Sequence, residues 1–79
     1  MRKYILDFII KFLMENFAIE ADEKNAMNCV SDQQLEQLLK ALNREYKVEL
    51  KLYDVLSYIQ KYNMTLGDLS GIVFNKLTC

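Results

Sequence analysis

Few residues in this chain have the type and spacing that chemistry requires. There is no histidine, so the side chain that most often serves as a general base, and most often as a neutral metal ligand, is absent. Cys29 and Cys79 stand far apart and form no C-x-x-C pair. A zinc site built on them would need carboxylates for its remaining ligands, an uncommon arrangement. Asp22, Glu23 and Asp32 could be gathered into a carboxylate cluster, but loop acids near a helix start ordinarily cap the helix or stand in water. No nucleophile–base pair and no phosphate-binding loop stands out. Ser31 remains, a hydroxyl at the junction of a polar loop and an apolar helix. The expectation is a protein that catalyses nothing itself and holds no metal.

The elements that position these residues follow from length and composition. Seventy-nine residues make one domain, near the lower size at which a single core holds a fold unaided. Proline is absent and only two residues are glycine, too few turn formers for many short strands, so an all-α fold is expected. A hydrophobic fraction of 52% and a net charge of −1 argue against disorder. Ten basic residues dispersed among eleven acids argue against a nucleic-acid surface. Near the N-terminus the apolar run is broken by Asp7, Lys11 and Glu15 and has no small-residue cleavage site, so it reads as part of the folded domain and not as a signal peptide. It is also too charged for a membrane span, which needs roughly twenty apolar residues. Nothing marks the chain as secreted, and a cytoplasmic protein with two reduced thiols is expected.

The pattern predicts a four-helix bundle. The first helix covers about Lys3 to Phe17, with Lys3, Asp7, Lys11 and Glu15 forming a narrow charged stripe of alternating sign. Nearly everything else on it is apolar, so it must be covered on several sides, by the bundle or by a partner such as a second copy. A polar loop spans 20–30. Ser31-Asp-Gln-Gln34 then reads as a capping box that opens a second helix ending near Tyr46. Leu35, Leu38, Leu39, Leu42 and Tyr46 form its inner face; Gln33, Glu36, Gln37, Lys40, Asn43 and Arg44 form the outer one. Lys47 to Leu50 is an extended link with Val48 and Leu50 inward. A third helix fits Leu52 to Tyr62, burying Leu52, Val55, Leu56 and Ile59. Thr65 caps a fourth that ends near Leu77 and buries Leu66, Leu69, Val73 and Leu77. Asn63-Met-Thr65 matches a glycosylation sequon but reads as a turn and cap.

Residues 31–77 resemble the acyl and peptidyl carrier proteins. Tyr46, Lys47 and the triplet Val48-Glu-Leu50 follow the second helix as in that family. Leu52-Tyr-Asp-Val-Leu56 resembles the short third helix of the peptidyl branch, and Thr65-Leu-Gly-Asp-Leu69 its threonine-capped last helix. The resemblance implies a serine at the start of the second helix carrying a phosphopantetheine arm, with synthase or transferase enzymes as partners that read the surface of that helix. A helix N-terminus suits the arm's phosphodiester. The chain departs from the family pattern at this point. Ser31 falls where the family has a capping Asp, Asp32 where it has the modified serine, and Gln33 where it has Leu or Met.

Ser31 therefore has two readings, as a plain N-cap or as a shifted attachment site for phosphopantetheine. Correspondingly, the chain is either a carrier with an unusual motif or a degenerate carrier fold used for protein binding. In both cases Asp32, Gln33, Glu36, Gln37 and Lys40 are the candidate partner-binding residues. The alternative is a small helical adaptor, chaperone or inhibitor that binds one protein partner through apolar helix surfaces. The wide apolar surface of the first helix and Tyr53, Tyr58 and Tyr62 on the third favour it.

Overall fold

The computed structural model describes residues 2–78, which form four α-helices and one 3-10 turn. Helix α1 is Arg2–Phe17, α2 is Asp32–Tyr46, α3 is Leu52–Tyr62 and α4 is Leu66–Thr78. The all-α bundle expected from composition is the observed fold. Met1 and Cys79 lie outside the described residues, and with them any question of a Cys29–Cys79 disulfide.

Helix α1 packs chiefly on α4 and then on α2. Ile5, Ile9 and Leu13, one turn apart, are wholly buried, and the charged stripe on the opposite side is exposed. Lys11 and Glu15 lie 3.7 Å apart on that stripe, an exposed i,i+4 pair worth about 0.3 kcal/mol. The flanks are only partly covered. Phe8, Phe12 and Phe17 are half-buried and join Tyr46 of α2 in an aromatic chain: Phe8 meets Tyr46 edge-on at 5.7 Å and Phe12 meets Phe17 the same way at 5.7 Å. Burial pushes the Tyr46 hydroxyl above its usual ionisation range, and the charge of neighbouring Glu45 adds to this. Tyr4 and Met14 stay exposed.

The connection from α1 to α2 is more than a polar loop. Helix α1 stops at Ala18, whose φ of 54° is left-handed and whose N–H donates to the Met14 carbonyl at 3.0 Å. An Asx turn follows, in which the Asp22 N–H donates to Asn25 Oδ1 at 2.7 Å and the Lys24 N–H to Asp22 Oδ1 at 2.9 Å. The segment then lies against the start of α4. The Met27 N–H donates to the Met64 carbonyl (2.9 Å), the Leu66 N–H to Asn25 (3.0 Å) and the Gly67 N–H to Glu23 (3.0 Å). Met27, 1% exposed, and Val30, 9% exposed, enter the core here.

Gly67 is what allows this approach. A Cβ at this position would lie 2.8 Å from Glu23 Cγ and 3.2 Å from the Glu23 carbonyl oxygen. Alanine favours a helix over glycine by about 1 kcal/mol, yet here it would push the loop off its hydrogen bond. Gly67→Ala is therefore expected to lower the unfolding free energy by about 1 kcal/mol, measured by urea melts. Adding Glu23→Ala, which removes the nearer clashing atom, should recover part of that loss; a more stable Gly67→Ala variant would mean that the loop yields freely.

Helix α2 opens with the expected capping box and buries Leu35, Leu38, Leu39, Ala41 and Leu42. It ends at Lys47 in the left-handed conformation, φ 55°. In the link that follows, Leu50 is buried and Val48 half-buried. Asn43 departs from expectation. Placed by spacing on the outer face of α2, it is half-buried and clamps the link: its Nδ2 donates to the Leu50 carbonyl at 3.1 Å, and its Oδ1 accepts from the Leu50 N–H at 2.8 Å.

Helix α3 is the least anchored element. Val55 is its one buried residue; Leu52, Leu56 and Ile59, expected inside, are half-buried against the core edge. It ends on Asn63 at φ 51°, a residue that tolerates the left-handed region. Thr65 and Asp68 then form a second reciprocal capping box, with bonds of 3.0 and 3.2 Å, so the sequon residues do serve as turn and cap. Within α4 Leu66, Leu69 and Val73 are buried as expected, while Leu77 is only half-buried. Ser70 is buried as well, its hydroxyl satisfied by the Gly67 carbonyl at 2.6 Å. Among the described residues, no helix is long and apolar enough to cross a membrane.

Candidate binding groove and the start of α2

Two places on the bundle could do molecular work, and they lie at opposite ends of α2. At the N-terminal end, Ser31 is exposed with an extended backbone. Its Oγ accepts from the Gln34 N–H at 3.2 Å, and its own N–H donates to Gln34 Oε1 at 2.9 Å. Both halves of the capping box are closed. Asp32 is the first residue of the helix proper and Gln33 is exposed. Asp32, Gln33, Glu36, Gln37 and Lys40 fall on one exposed face, so the structure brings the predicted partner-binding residues together. Lys40 and Glu36 form an exposed pair at 3.7 Å within it, which leaves that face with the single negative charge of Asp32.

At the other end, an open groove of about 1020 Å³ runs between the 47–51 link, α3 and the last turns of α4. Leu50, Val55 and Ile72 supply apolar lining, and Tyr58 and Tyr62 stand beside them with ring centroids 6.0 Å apart. Lys47, Lys51, Lys61 and Lys76 line the same groove, against the two acids Glu49 and Asp54. None of these four lysines pairs with a carboxylate among the described residues, where the only ion pairs are Lys11–Glu15 and Lys40–Glu36. A second, more open groove of about 510 Å³ adjoins the first across Tyr58, Tyr62, Ile72 and Asn75.

No protein-family model, curated protein or solved structure matches this chain. Geometry alone thus ranks the two sites. Fifteen residues of α2 separate Ser31 from Lys47, about 22 Å at 1.5 Å per residue. Neither groove is lined by Ser31 or Asp32. The cluster of Asp22, Glu23 and Asp32 does not assemble into a metal-holding group, and no three His, Cys, Asp or Glu side chains among the described residues do. Cys29 is half-buried and has no disulfide partner among the described residues.

The groove was not legible as a site in the sequence. Its residues come from three segments, and its four lysines alternate along the chain with Glu49 and Asp54, which share the lining, and Asp68, which caps α4. One signal was present: Tyr58 and Tyr62, one helical turn apart on α3, are more aromatic surface than a core edge requires.

Proposed function

We propose that this chain is a non-catalytic, protein-binding helical domain: a degenerate carrier-like fold in which Ser31 serves as a helix cap and the groove beside α3 is the working surface. The carrier-like part of this reading rests on the resemblance of residues 31–77. The observation that carries the binding part is the separation of the two sites. The candidate attachment hydroxyl closes a capping box at one end of α2, while the exposed tyrosines and four lysines without a carboxylate partner among the described residues gather at the other. Aromatic side chains around an apolar floor are the groups that anchor protein interfaces. A cytoplasmic setting goes with this reading, in which Cys29 remains a thiol.

A working carrier is the second reading, favoured by the exposure of Ser31 at a helix N-terminus. Intact mass after incubation with coenzyme A and a broad-specificity phosphopantetheinyl transferase separates the two. The expected result is an unchanged mass for the folded protein. A gain of one phosphopantetheine that Ser31→Ala abolishes would overturn the proposal. Independently of that outcome, Ser31→Ala should lower stability by about 1 kcal/mol through loss of the cap.

A further inference from the structure

The groove has a charge that its surroundings lack. Four of the ten basic residues of the chain line it, with two of the eleven acids. The lining is thus two charges positive in a chain whose net charge is −1. Lys61 and Lys76 lie in the last turns of α3 and α4, and Lys47 follows α2. Helix C-termini favour cations at these places, which explains why lysine is tolerated there. That attraction needs no hydrogen bond, so it leaves the ammonium hydrogens open to a ligand.

Resting on the binding function proposed above, we infer that this groove receives an acidic amphipathic peptide segment of a protein partner. Its carboxylates would meet the lysines, and its aliphatic or aromatic side chains would lie on Tyr58, Tyr62 and Ile72. Charge complementarity selects this occupant. A nucleic acid presents an unbroken row of phosphates, and Glu49 and Asp54 on the same lining would oppose it. A peptide can place a neutral or basic residue opposite those two acids. The apolar surface of Ile72, Tyr58 and Tyr62 also has no use for a phosphate backbone, whereas leucine or phenylalanine at helical spacing would cover it.

The test is a titration of the folded full chain, followed by backbone NMR and fluorescence anisotropy. The probe is a synthetic peptide rich in Asp and Glu that carries Leu and Phe at i, i+3 and i+4 spacing. Expected are shifts confined to residues 47–62 and 71–77, weakening with added salt, and an affinity at least about tenfold lower in the double variant Lys51→Glu/Lys61→Glu. Both lysines are exposed, so the variant should fold; a Tyr58→Ala variant, which leaves every charge in place, should also bind more weakly. Equal affinity in the charge-reversal variant, or shifts spread along α1 and α2, would overturn the inference. So would tighter binding of an oligothymidine, or a concentration-dependent mass with no peptide binding, which would assign the groove to a nucleic acid or to a second copy. A phosphopantetheine adduct on Ser31 would sink the earlier proposal by a separate measurement. Loss of peptide binding with no adduct would sink only this one.

Discussion

Truncating Leu13 to alanine is expected to lower the unfolding free energy by about 3–4 kcal/mol. Leu13 has no solvent-exposed surface and sits on α1, the helix that packs on both α4 and α2. Removing its branched end forfeits the transfer free energy of the lost carbons and leaves a cavity that neighbouring helices only partly close. A chain of 79 residues has in total about 4–12 kcal/mol to lose, so the variant should be partly unfolded near physiological temperature. Urea melts followed by circular dichroism measure this directly. Leu13→Met, which preserves volume, should cost less than about 1.5 kcal/mol. An equal loss from both variants would point to something other than the cavity.

The second large effect is expected at Asn43. One amide side chain satisfies both the N–H and the carbonyl of Leu50, a residue only 7% exposed. Asn43→Leu keeps the approximate shape but strands two backbone groups, and an unsatisfied buried group costs about 1–3 kcal/mol. The expected loss is about 2–4 kcal/mol in the same melts. Asn43→Asp separates the two bonds. An ionised aspartate can still accept from the Leu50 N–H but sets a second acceptor against the carbonyl. Once protonated it can donate there, so the deficit of this variant relative to the native protein should shrink as pH falls through the carboxylate range. A deficit independent of pH would mean that the carbonyl finds another donor.

These positions also mark what could be read from the sequence. The starts of α2 and α4 could, because each carries a side-chain signal. Ser31 with Gln34 and Thr65 with Asp68 are reciprocal caps between residues three apart, visible before any fold is known. The inward leucines of α2 followed from spacing for the same reason. Two features escaped. Asn43 lies at a helical spacing that matches the polar face, and only the path of the link behind α2 turns it inward. Met27 and Val30 join the core because backbone groups of their segment bond to the start of α4, and backbone bonds leave no trace in side-chain types. The ends of α1 and α2 fall where the pattern put them, at Phe17 and Tyr46, although Ala18 and Lys47 take the left-handed conformation in place of the usual glycine. The candidate site divides the same way: Ser31 could be read because it belongs to one helix, whereas the groove is assembled by tertiary packing.

The strap of 23–27 across the first turn of α4 bears on how the chain acquires its structure. Helices made of local contacts can form early and independently, but here the opening turn of α4 depends on a segment far back along the chain. Bringing Asn25 to Leu66 means closing a loop that encloses all of α2 and α3, with its entropy spent before the bonds repay it. The bundle should therefore be slowed relative to one held only by neighbouring helices, with closure of this strap as the step that commits the chain to its final topology.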